Sequence, residues 1–130
     1  MPGAHSFDFA VVRIVPRVER SEFINAGAIL FCRVRRFLRA TVELDRDRLL
    51  ALAPCIDVAE VERHLALIPL VCEGGPAAGP IGLLSMAERF HWLVAPRSTL
   101  VQPSPVHCGL CDDPASELEH LLDTMVRRLE

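Results

Sequence analysis

The chain has 130 residues, 51% hydrophobic and 24% charged, with a net charge of −3. That fits one globular α+β domain over residues 1–130, long enough to bury roughly two-thirds of its unfolded surface in a single core. It argues against general nucleic-acid binding, which draws on surplus positive charge, and against a membrane span, because no apolar run reaches about 18 residues.

The start, MPGAHSFDFA, lacks a basic stretch and a long apolar run, so no secretory leader is expected. Phe7 to Pro16 is then nearly continuously apolar, as in a central strand covered on much of both faces. Ala26 to Cys32 reads the same way. Phe37 to Leu44 alternates: Leu38, Ala40, Val42 and Leu44 share one face, and Arg39, Thr41 and Glu43 the other. The four residues Arg33 to Arg36 are short enough to join these two strands as an antiparallel hairpin.

Helices follow. Asp45 is placed to cap a helix that stops before Pro54, and Asp57 one that ends at Pro69, with Val58, Val61, Leu65 and Ile68 along its buried face. Glu73 to Pro80 is rich in glycine and proline and reads as a flexible connector. Leu83, Ala87, Phe90 and Val94 recur at helical spacing from Ile81 onward, although RFHWLV could equally be a strand. In the last element Asp113 caps, Pro114 takes the first helical position, and Leu118, Leu121, Leu122, Met125 and Leu129 form a stripe. The expected architecture is a two-layer α+β body, with an antiparallel sheet of three to four strands packed against three to four helices.

Val94 to Pro114 holds four of the ten prolines and two of the five cysteines. His107, Cys108 and Cys111 offer three zinc ligands, but a closed site needs four and no second paired motif exists. Buried thiols acting as small hydrophobes are the simpler account, so neither metal nor another cofactor is expected. A redox pair lacks its flanking βαβ pattern. Ser98, Ser104 and His107 lie close in sequence, yet no nucleophile elbow supports them. The glycines of GGPAAG come without the lysine of a phosphate loop, and capping accounts for Asp113. Five cysteines, an odd number in a chain too large to need disulfide staples, point to a reducing, cytoplasmic setting.

Two segments remain as candidate sites. In the first, Arg97, Ser98, Gln102, Ser104 and His107 lie along a ribbon that Pro103 and Pro105 keep extended, at an edge suited to a ligand or a partner chain. Its bland alternative is a rigid surface crossing whose polar groups satisfy local backbone. In the second, Arg20 and Asn25 lie in the link between the first two strands, which reads more readily as a solvated, mutually paired charge run. All fourteen basic residues are arginines, planar forks suited to carboxylate or phosphate.

FDFAVVRIVPRVERSEFINAGAILF, then ERFHWLVAPRSTLVQPSPVHCGL, then DDP before a final helix, together resemble the domain-of-unknown-function 3037 family of small bacterial proteins. The resemblance spans Phe7 to the last helix and is most specific from Glu88 to Pro114. It implies no known activity. It does imply a hydroxyl residue at the place of Cys108 and another near Cys111, so that the cysteines here are a departure, which further weakens a zinc reading. It also implies an accessory role beside HipA-like kinases. The resulting expectation is a non-catalytic accessory domain that binds a protein or peptide partner, with a homodimer possible and neither membrane nor nucleic acid involved. The alternative is an enzyme acting on a phosphorylated or carboxylated small molecule, with Arg97 holding the anion and His107 as acid/base.

Overall fold

The computed structural model describes residues 4–129, so part of the leader reading lies outside the described residues. The strands are β1 (His5–Ile14), β2 (Ile24–Cys32), β3 (Phe37–Val42), β4 (Val101–Pro103) and β5 (His107–Cys111). The α-helices are α1 (Arg46–Leu52), α2 (Val58–Glu73), α3 (Met86–Val94) and α4 (Pro114–Met125). Short 3-10 turns occupy Val18–Arg20 and Pro76–Leu83.

The apolar run of β1 puts it in the middle of the sheet. It pairs antiparallel with β2 on one side and with both β4 and β5 on the other, while β2 and β3 form the expected hairpin. Side chains alternate along β1. Phe7, Phe9 and Val11 pack with Leu118, Leu121 and Leu122 of α4, whereas Val12 and Ile14 pack with Leu49, Val61, Leu65 and Phe90. The pairing slips by one residue after Val12, leaving Ala26 as an extra residue in β2. That bulge reverses the alternation, so Ala28, Leu30 and Cys32 face α4 while Ile24 and Ala26 face α1 to α3. A Cβ at neighbouring Gly27 would lie 2.6 Å from the Thr41 carbonyl oxygen, so only glycine fits there.

The class is α+β with an antiparallel sheet, as the pattern implied. The sheet has five strands, however, and α4 covers the face opposite α1 to α3, so helices form two layers around it rather than one. The reason is in β1 and β2, which are apolar on both faces and would leave one face wet beneath a single helical layer.

Several elements differ in extent from the sequence reading: β1 spans His5–Ile14, β3 stops at Val42 short of Leu44, and α4 ends at Met125, leaving Leu129, the last member of its expected stripe, 81% exposed beyond the helix. Helix α2 runs through Pro69 to Glu73, because its final turn buries Val71 and Cys72 and is capped from outside. Arg89, itself buried, donates from Nη1 to the carbonyls of Val71 (2.9 Å) and Cys72 (2.6 Å), and from Nε to that of Leu84 (3.1 Å). Gly74, at φ 78°, clears space for it; a Cβ there would stand 2.9 Å from the guanidinium carbon. The connector beyond is not loose but folds as 3-10 turns bent at Gly79. Helix α3 begins at Met86, where Ser85 and Glu88 form a reciprocal capping box, and RFHWLV is helical. Among the described residues no single helix is long and apolar enough to cross a membrane.

Candidate functional site

The segment between α3 and α4 folds as a broken edge lane along β1. Gln102 lies opposite Arg13 in β4, and His107 opposite Phe9 in β5. Ser104 occupies the break. It is buried, its backbone N–H donates to the Val11 carbonyl (2.8 Å), and its hydroxyl accepts from the Val11 N–H (2.8 Å). The jog at Pro105 would otherwise strip Val11 of its ladder partner, so the Ser104 side chain completes the sheet.

On the α2 and α3 side of this lane lies a cleft of about 110 Å³. Leu67 and Ile68 of α2, Trp92 and Leu93 of α3, and Val101 and Pro103 of β4 form its apolar walls. Leu67 is 58% exposed and Trp92 40% exposed, both high for large apolar side chains. Arg97, Gln102 and His64 supply polar groups at the rim. The Arg97 guanidinium sits 4.8 Å from the Trp92 ring centre and donates to the carbonyls of Trp92 and Ala95, closing the carboxyl end of α3. Gln102 donates to the Thr99 carbonyl (2.8 Å), and the Thr99 hydroxyl donates to that of Val101 (2.8 Å). Ser98 is exposed next to Arg97.

The remaining residues lie elsewhere. His107 is exposed and its ring packs 5.4 Å from that of Phe9, on the α4 face. Arg97 and His107 therefore sit on opposite faces of the sheet and share no cavity. Arg20 pairs with Glu22 (2.6 Å) beside a broad, open depression of about 940 Å³ along the α1–α2 link. Asn25 donates to the Met125 carbonyl (2.9 Å) at the end of α4. The arrangement thus joins Arg97 and Gln102 at one cleft and leaves Ser98, Ser104, His107, Arg20 and Asn25 outside its lining.

Cys108 and Cys111 are three positions apart in β5 and so point to opposite faces. Burial pushes the Cys111 thiol up, and takes that of Cys72 up to about 12, which keeps both protonated and unreactive. Among the described residues no group of three or more His, Cys, Asp or Glu side chains could hold a metal ion.

The cleft walls were missed in the sequence. One signal was available: Leu67 is a large apolar residue outside the buried stripe of α2.

A family model described as "Protein of unknown function (DUF3037)" matches residues 9–126. The chain belongs to that family. The DUF3037 match runs from Phe9 in β1 to Val126 just beyond α4, and so takes in the sheet, both helical layers and the cleft. No curated protein and no solved structure matches this DUF3037 chain.

Proposed function

We propose that this chain is a non-catalytic, cytoplasmic accessory domain that binds a protein partner through the cleft between α2, α3 and β4. The observation that carries the reading is the size and lining of that cleft. Small-molecule sites usually enclose about 300–1,000 Å³, whereas about 110 Å³ accommodates a single apolar side chain. A pocket of that size beside an exposed tryptophan stacked with an arginine is the composition of an interface anchor point. The partner implied by the family resemblance is a HipA-like kinase.

Recognition at the cleft works through side chains rather than strand addition. Ladder alternation turns the backbone groups of Val101 and Pro103 outward from β4, because those of Gln102 face β1. Pro103 has no N–H, and the Val101 carbonyl already accepts from Thr99. The β4 edge is therefore too depleted to template another strand.

Leu67→Glu places a charge at the cleft wall, and Leu110→Glu places the same charge on exposed β5. With both variants folded by circular dichroism, a partner retained from host lysate by the parent chain should be lost by Leu67→Glu and kept by Leu110→Glu. Equal retention by all three proteins would remove the cleft from the account.

A further inference from the structure

The end of the β2–β3 hairpin concentrates positive charge. Arg33, Arg35, Arg36 and Arg39 fall within seven consecutive residues, and all four are exposed. Among the described residues none of them forms an ion pair, a state they share with Arg13, Arg48, Arg63, Arg89 and Arg97, whereas Arg17, Arg20, Arg46, Arg127 and Arg128 are paired. Their only side-chain hydrogen bond runs from Arg35 to the Asp112 carbonyl (3.1 Å).

Two of these guanidinium groups also lie over aromatic rings. Arg33 lies 5.7 Å from the Phe31 ring centre and Arg39 4.6 Å from that of Phe37. Phe31 packs on the α3 side of the sheet and Phe37 on the α4 side, so the forks straddle the hairpin from both faces. Arg36 adopts φ 51°, a left-handed conformation that costs a long side chain energy and that glycine or asparagine would relieve.

We propose that this hairpin end is a docking surface for a short acidic segment of a protein, rich in aspartate and glutamate. Stacked, permanently charged forks with free edges match carboxylates. Charge distribution selects a short segment over a nucleic acid. Away from the hairpin the chain has ten arginines against seventeen carboxylates, so a polyanion long enough to leave the patch meets a surface of net negative charge. A short peptide meets chiefly the four arginines, with the Asp112–Asp113 turn, whose Asp112 carbonyl accepts from Arg35, at their margin. The hairpin turn lies where β1 begins, and the cleft lies beside β4, which pairs with Val12 to Ile14 near the end of β1. The inference therefore does not rest on the cleft reading.

Fluorescence anisotropy tests it, using a fluorescein-labelled peptide of about eight glutamates and, separately, a single-stranded DNA of matched charge. Replacing all four arginines with glutamine should weaken peptide binding by more than about fourfold. Arg63→Gln, which removes an exposed arginine from α2, should leave binding within about twofold. Added salt should weaken binding to the parent chain. The proposal is overturned if the parent chain shows no saturable binding at low salt, or binding indifferent to salt. It is equally overturned if the four-fold variant binds as well, or if the DNA binds more tightly than the peptide.

Discussion

Ser104 and Ser98 are six residues apart, and the sequence treats them alike, as hydroxyls in a proline-rich ribbon. The structure separates them. Ser104 is buried and its hydroxyl is the acceptor for the Val11 N–H, while Ser98 is exposed. Removing a buried acceptor leaves a donor without water or a partner, which costs about 1–3 kcal/mol. Ser104→Ala should therefore lower stability in urea titration by that amount, and Ser98→Ala by less than about 0.5 kcal/mol. An unchanged midpoint for Ser104→Ala would show that its hydroxyl does not support the sheet. Sequence reasoning picked out Ser104 but could not tell a ligand-facing hydroxyl from a ladder-completing one. The difference depends on strand register against a residue 93 positions away. Arg89 was equally illegible, because nothing in its neighbours announces a buried fork aimed at carbonyls 17 and 18 residues earlier.

Elements defined by local chemistry were legible, and those defined by distant partners were not. Helix α4 was read from its Asp113 cap, Pro114 and leucine stripe, all local signals. Strand β5 carries no alternation and exists because β1 is beside it. Its Gly109 makes room for the Phe7 ring, which a Cβ would approach to 2.9 Å. Charge then fixes the segment after α4 to the turn between β3 and α1. Arg127 reaches Glu43 (2.6 Å), Glu119 (2.6 Å) and Asp123 (2.7 Å), and Arg128 pairs with Asp45. The hydrogen bond from Arg127 holds the Glu43 carboxyl below its ordinary value, and that from Arg128 takes Asp45 down to about 2. A carboxylate depressed in the folded state stabilises at pH above its unfolded value, and that contribution disappears as pH falls through the folded value. Stability should therefore hold above about pH 5 and decline toward about pH 2. The decline should be shallower in an Arg127→Gln, Arg128→Gln double variant. Parallel pH profiles for the two proteins would mean that these pairs contribute nothing.

At the scale of the molecule, one apolar sheet between two helical layers leaves two distinct surfaces, an apolar cleft beside β4 and an arginine-rich hairpin end. The class was legible because most of β1 and β2 is apolar and buried on both faces. The cleft was only half legible. Its polar rim, Arg97 and Gln102, stood out in the sequence, but its walls come from α2, α3 and β4, which only the fold brings together. The same folding placed His107, Arg20 and Asn25 away from the cleft: Arg20 is spent on its sequence neighbour Glu22, Asn25 on the Met125 carbonyl, and His107 on the Phe9 ring. The most direct measurement of the central claim is amide hydrogen exchange on the purified chain with and without its retained partner. Exchange should slow at Leu67, Ile68, Trp92, Leu93 and Val101 when the complex forms. Slowing confined to β5, or to the depression along the α1–α2 link, with those five positions unchanged, would contradict it.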